Sequence, residues 1–180
     1  MISYAITDPI TLDLLNIESD IKRFSDRKAS MIVYRDKENK NYTYDAEKFL
    51  DVARKYDFDK VLLHTDIALA KQLEADGVHL SSIQFKEIEE AKNEGLFVVI
   101  STHSIKEAKE AEILGADMIT YSPIFETPGK GKPVGLEMLT ELTSVLKIPV
   151  IALGGIVTDE QRVACYISGA SGFASIRYFA

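Results

Sequence analysis

Apolar runs of strand type alternate with amphipathic helical stretches along the whole chain, and this constrains the fold more than any other feature. The strand runs fall at 2–6, 30–35, 60–64, 77–80, 96–101, 117–121, 148–153 and 171–175. Helical periodicity fills 11–26, 43–56, 66–74, 84–94, 104–114, 136–146 and 158–168. Strands joined through helices pair in parallel, because a crossover returns the chain to the same end of the sheet. Two architectures meet that requirement: an open doubly wound sheet and a closed barrel. No Gly-x-Gly-x-x-Gly follows the first run, which passes from Ile6-Thr7 into Asp8-Pro9. Eight strands is the number that closes a (β/α)8 TIM barrel. The barrel is therefore the expected fold.

Local chemistry agrees. Ser104 and Glu107 are spaced as a capping box at one helix start, and Thr158 and Gln161 at another. Helix ends repeat one phrase: Leu73-Glu-Ala-Asp-Gly-Val78, Leu114-Gly-Ala-Asp-Met-Ile119 and Ser168-Gly-Ala-Ser-Gly-Phe173. Each is a stop, a short turn and a strand start. The spacing has no fixed period, so this is one unit reused in a barrel and not a solenoid.

The 180 residues make a single domain, 1–180, with no linker or low-complexity break. That is short, since about 250 residues is typical of such barrels. The last strand run ends almost at Ala180, so a barrel lacking its final helix is expected. The groove between the first and seventh helices would then need a partner subunit in a homo-oligomer, or a shifted first helix. A net charge of −7 argues against nucleic-acid or membrane-surface binding. No apolar run reaches spanning length and the start lacks a signal-peptide pattern, so a cytoplasmic location is expected. Cys165, the single cysteine, lies in a helical segment and reads as a buried thiol.

Barrels bind ligands at the carboxyl ends of their strands. Arg35 and Lys37 follow the second run, His64, Thr65 and Asp66 the third, Ser101 and His103 the fifth, and Thr127, Lys130 and Lys132 the sixth. Each cation alone would read as a solvated surface charge. Arg35, Lys37 and Lys130 together at one mouth point to a phosphate or diphosphate. Gly154-Gly155 after the seventh run and Ile176-Arg177 after the eighth stand where barrels cradle a phosphate on backbone N–H groups, although a tight turn alone would also demand glycine. Among the histidines, His64 is the acid–base candidate by residue type, facing either the mouth or the wall. His103 either contacts substrate or caps a helix. His79 reads as packed or supporting. No cluster with metal-ligand spacing occurs; Asp66, Asp8 and Asp36 are the carboxylates in reach of a Mg2+ ion.

Several segments then align with one family. Tyr4-Ala-Ile-Thr-Asp-Pro9, Ile32-Val-Tyr-Arg-Asp-Lys37, Ala75-Asp-Gly-Val-His-Leu80, Ser101-Thr-His103, Ser122-Pro-Ile-Phe-Glu-Thr-Pro-Gly-Lys130 and Ala152-Leu-Gly-Gly-Ile156 resemble, in that order, the thiamine phosphate synthase and TenI family. The resemblance implies a (β/α)8 barrel. Synthases of that family join an aminopyrimidine methyl diphosphate to a thiazole phosphate and release diphosphate with Mg2+. TenI members shift the tautomer of a thiazole carboxylate phosphate. By position, the resemblance assigns Arg35, Lys37, Ser101 and Lys130 to the diphosphate, Thr127 to the thiazole, and Gly155 with the backbone at Ile176 and Arg177 to the thiazole phosphate.

The chain also departs from the pattern. Val33 stands where the synthases have Gln, His64-Thr65 where they have Asn-Asp, and Ser81-Ser82-Ile83-Gln84 where they have Gly-Gln and an acidic pair. Of the implied Mg2+ ligands only Asp66, one place displaced, remains. The TenI histidine before the Phe-Glu-Thr run is replaced by Pro123, which leaves His64 as its stand-in. Three functions follow: a transferase of the synthase type, a TenI-like tautomerase, or an inactive phosphate-ligand-binding or regulatory barrel. The expected ligand is a small phosphorylated heterocycle.

Overall fold

A computed structural model describes all residues, 1–180. Eight parallel strands close into one barrel in sequence order. They are β1 (Ile2–Ile6), β2 (Met31–Tyr34), β3 (Lys60–His64), β4 (Gly77–Leu80), β5 (Phe97–Thr102), β6 (Met118–Tyr121), β7 (Val150–Leu153) and β8 (Gly172–Ser175). Closure comes from β1 pairing with β8, Ser3 opposite Phe173, while its other edge takes β2, Tyr4 opposite Met31. The helices are α1 (Ile17–Asp26), α2 (Tyr42–Ala53), α3 (Ile67–Gln72), α4 (Ile88–Asn93), α5 (Ile105–Ile113), α6 (Gly135–Val145) and α7 (Asp159–Ile167).

Pleating sends successive side chains to opposite faces, and this divides the core in two. Outward residues such as Ala5, Ile32, Leu63, Val98, Ile119 and Phe173 pack under the helices. Inward residues fill the barrel: Tyr4, Ile6, Met31, Val33, Leu62, Val99, Met118, Ile151 and Ala174. Each large side chain so buried stabilises by roughly 1.5–3 kcal/mol.

Two helical expectations are corrected. The segment 11–26 becomes helical only at Ile17. Asp8 Oδ1 accepts the amides of Ile10 (3.1 Å) and Thr11 (2.9 Å), and Asp13 Oδ1 accepts that of Leu15 (2.9 Å). Such Asx turns take the amides a helix would need. The segment 84–94 starts as a 3-10 turn, Phe85–Glu87, before α4. The Thr158–Gln161 capping box is complete. At α5 only half of the box forms: Ser104 Oγ accepts the Glu107 amide, but the Glu107 carboxylate accepts from His103 N at 2.6 Å.

After β8 a 3-10 turn, Arg177–Phe179, folds back over the space between α1 and α7. Phe179 is fully buried, stacked on Phe173 (5.6 Å between centroids) and tilted against Phe24 (6.5 Å). Arg23 and Arg27 of α1 and its C-terminus donate to the carbonyls of Phe179 and Tyr178. An aromatic plug therefore fills part of the groove where a last helix was expected missing. Cys165 is buried, and burial pushes its thiol up to about 11.

Candidate active site

The parity that fills the barrel also builds the site. Two residues beyond Val33 is Arg35, beyond Leu62 is His64, beyond Val99 is Ser101, beyond Ile151 is Leu153, and beyond Ala174 is Ile176. All five line one pocket of about 260 Å3 at the carboxyl ends of the strands. His79 and Ser81 of the β4 line, His103 of the β5 line and Ser122 of the β6 line join them. His64 therefore faces the mouth and not the wall.

Loops supply the rest. Lys37 comes from the β2–α2 connection, and Thr127 and Lys130 from the β6–α6 connection. Lys132 is not among the lining residues. Arg35 is the foremost cause that holds the Lys37 ammonium below its ordinary range, followed by partial burial and Lys130, so the three cations feel one another. In a chain of net charge −7 this is a local reversal of sign.

The second lobe is smaller, about 80 Å3, and lies beside the first, sharing Thr127, Leu153, Gly154 and Ile176 with it. Gly155, Ile156, Val157, Ser175 and Arg177 complete it. Gly154 and Gly155 have φ of +98° and +70°. A Cβ on Gly154 would lie 2.7 Å from Pro123 Cα, and one on Gly155 2.5 Å from the Glu126 carbonyl oxygen. Close packing of the β6–α6 loop thus demands both glycines, apart from any ligand. Ser175 Oγ donates to the Ile156 carbonyl (2.7 Å) and accepts the Tyr178 amide (3.1 Å), which ties this turn to the one after β8.

The histidines differ in setting. Burial first, then Arg35 and Lys37, brings His64 down to about 4. Burial, then His64 and Arg35, brings His79 down to about 3. Both are neutral bases at neutral pH. His103 donates Nδ1–H to the Ser122 carbonyl (2.9 Å), which leaves Nε2 free at the pocket edge. It does not cap α5; Ser104 does. His79, read from the sequence as packed or supporting, is both: it is buried, its Nδ1 meets Tyr4 Oη (2.9 Å) and its Nε2 meets Ser101 Oγ (3.0 Å). Tyr4 is the residue sequence reasoning missed. Its place two residues before Ile6 on the inward face was the available signal.

The residues do not fit a resident Mg2+. Asp66 lines an outer lobe with Asp36, Lys37, His64 and Thr65, and its Oδ1 caps α3 by accepting the Leu69 amide (2.8 Å). Asp36 Oδ1 lies 3.3 Å from the Glu38 amide, and Asp8 is spent in its turn. No group of three His, Cys, Asp or Glu side chains is arranged to hold a metal ion. Mg2+ is commonly held by one or two carboxylates together with waters and substrate phosphates; here the carboxylates nearest the mouth, Asp66 and Asp36, accept backbone amides, and the charged side chains facing the main pocket are ammonium and guanidinium groups.

Fold and pocket together define a (β/α)8 barrel with a cationic site at the carboxyl ends of its strands. The model of the thiamine monophosphate synthase (TMP-TENI) family matches residues 3–179, and the chain belongs to that family. A relative from Aquifex aeolicus is 46% identical over 117 residues, 63% of this chain and 61% of that protein, under two thirds of its length. The thiamine-phosphate synthase of Clostridium novyi is 29% identical over 180 residues, covering 96% of this chain and 87% of that one. The solved thiamine phosphate pyrophosphorylase from Pyrococcus furiosus superposes with a TM-score of 0.82 at 31% identity, covering 97% of this chain and 85% of that one. No helix is long and apolar enough to cross a membrane.

Proposed function

We propose that this barrel is a transferase of the thiamine-phosphate synthase type, joining an aminopyrimidine methyl diphosphate to a thiazole phosphate. One observation carries the reading: a tricationic lobe and a glycine-turn lobe share Thr127, Leu153, Gly154 and Ile176. Two anionic groups bound there would be held apart with their organic parts between them. The C–O bond to diphosphate breaks as a C–N bond to the thiazole forms, and negative charge grows on the departing oxygen. Arg35, Lys37 and Lys130 oppose that charge, the kind of stabilisation that is often the largest catalytic contribution. Thr127 and the backbone at Gly155, Ile176 and Arg177 hold the acceptor. Ser101 and His103 contact the ligand from the β5 side.

The test is incubation of the full chain with both substrates, with and without Mg2+, and detection of thiamine phosphate by mass spectrometry. Product that is lost in an Arg35→Ala/Lys130→Ala variant supports the reading. Folded protein that makes none overturns it.

A second reading has its own observation. His64 is a neutral base beside Arg35 in the same mouth, which suits proton transfer on a thiazole carboxylate phosphate. Solvent-deuterium exchange into that ligand, abolished by His64→Ala, would favour the tautomerase. No exchange would leave the transferase.

A further inference from the structure

A line of buried polar groups crosses the barrel interior and ends in the pocket. Tyr4 Oη, His79 Nδ1, His79 Nε2 and Ser101 Oγ follow one another at 2.9 and 3.0 Å across the ring. Thr120 Oγ1 reaches the same Ser101 Oγ from the other side at 3.5 Å. Tyr4 and Thr120 are fully buried and His79 is 3% exposed. No buried side-chain nitrogen or oxygen lacks a partner anywhere in the chain.

Counting protons gives the line a direction. The only side-chain partner of the Tyr4 hydroxyl is His79 Nδ1. If Nδ1 carried the proton, it would donate to the Tyr4 oxygen and the phenol's own proton would have no side-chain acceptor at this fully buried position. An unmade bond of that kind costs roughly 1–3 kcal/mol. An imidazolium has the same defect at Nδ1. With the proton on Nε2, Tyr4 O–H donates to Nδ1 and Nε2–H donates to Ser101 Oγ. Thr120 follows the same direction more weakly: its hydroxyl's one partner is Ser101 Oγ at a long 3.5 Å, and donation to it is the arrangement that gives the Thr120 proton an acceptor. Ser101 Oγ then accepts twice, which uses both lone pairs. Its own proton is left with no direction but the pocket.

We propose that Tyr4, His79 and Thr120 are positioning residues that fix Ser101 as a hydrogen-bond donor into the pocket. The subsite they create accepts a ligand oxygen that has lone pairs, such as a phosphate oxygen, and rejects a ligand N–H or O–H. That the pocket takes an anion rests on the function proposed above; the direction of the line does not.

Long-range 1H–15N spectra of the full chain, labelled in histidine, read the tautomer directly. His79, assigned by its loss in His79→Gln, should show an unprotonated Nδ1 and a protonated Nε2 from pH 5 to 8. A protonated Nδ1 in that range overturns the proposal. Pyrophosphate titrations supply the second arm, with Tyr4→Phe chosen because it keeps the ring and removes only the hydroxyl that meets His79 Nδ1. Ser101→Ala should weaken binding on the order of tenfold, the worth of a hydrogen bond to a charged group. Tyr4→Phe should weaken it several-fold alone and leave it unchanged when added to Ser101→Ala. Equal losses in both backgrounds would mean Tyr4 acts through packing, and would overturn the proposal. If the wild-type chain binds no pyrophosphate, the proposed function and the anion part of this inference both fall, and the spectrum still decides the direction.

Discussion

His64 and His79 meet edge to face, their ring centroids 6.0 Å apart and their planes at 66°. The contact follows from register, since His64 on β3 is paired directly with His79 on β4. Adjacent strands of a parallel barrel stack inward residues in layers, so two histidines at one level must touch. With Arg35 close to both, neither ring gains a proton easily.

Acid stability should record this. Both rings titrate below the ordinary histidine value of 6.5, His64 at about 4 and His79 at about 3. Between about pH 3 and 6.5 the unfolded chain therefore binds more protons than the folded one. The advantage of keeping the rings neutral is complete above pH 6.5 and is lost as pH falls through that window. His64→Asn removes one of the two contributions. At pH 4 the variant should lose up to about 3 kcal/mol less of its pH 7 stability than the wild type does. Urea unfolding at pH 7, 5.5 and 4 measures it; parallel losses in both proteins would show that His64 carries no such penalty.

The barrel was readable because its continuous apolar strand runs and helical stretches alternate without interruption, and the strand boundaries follow from the same pattern. Arg35, Lys37, Lys130 and His64 were readable as a group because strand ends of a barrel converge. Other features depend on side chains that compete with backbone partners, which periodicity does not encode. Asp8 and Asp13 divert 11–16 from helix, and Glu107 prefers the His103 amide to that of Ser104. The link of Tyr4 to His79 spans 75 residues of sequence and exists only once the barrel closes.

Glycine at the mouth can be tested against glycine in open space. Gly129 and Gly155 share nearly the same φ, +72° and +70°. An added Cβ meets nothing within 4 Å at Gly129 but lies 2.5 Å from the Glu126 oxygen at Gly155. Gly129→Ala should cost about 1–2 kcal/mol, the backbone strain alone. Gly155→Ala should cost clearly more and weaken thiazole phosphate binding, because the Phe125–Glu126 backbone has to move. Equal shifts in thermal midpoint for the two variants would refute the packing argument.

Thr65 stores strain beside the site. It is β-branched, yet its φ is +64°, a conformation that asparagine and aspartate tolerate far better. Three contacts hold it there: the Gln84 amide donates to its carbonyl (3.0 Å), its own amide donates to the His79 carbonyl (3.0 Å), and its hydroxyl donates to the His64 carbonyl (2.8 Å). Thr65→Asn should stabilise by about 1 kcal/mol and raise the thermal midpoint by about 2–4 °C. A lower midpoint would mean the hydroxyl bond outweighs the backbone strain.

The same position bears on metal dependence. Arg35, Lys37 and Lys130 line one pocket, while no group of three His, Cys, Asp or Glu side chains is arranged to hold a metal ion. Pyrophosphate affinity of the wild-type chain should therefore change by less than about threefold, under 1 kcal/mol, between EDTA and excess Mg2+. Lowering ionic strength should tighten it, because the interaction is between exposed charges and a polyanion. Thr65→Asp puts a carboxylate next to Asp66 on the rim of the outer lobe, where the family resemblance expects one. Without metal, that carboxylate repels the ligand and should weaken binding. With Mg2+ the loss should be recovered, so the ratio of affinities with and without the ion should exceed about tenfold in the variant. Strong Mg2+ dependence in the wild-type chain would show that Asp66 and Asp36 suffice with the ligand's own oxygens, and the charge argument would have to give way to a cation held between protein and substrate.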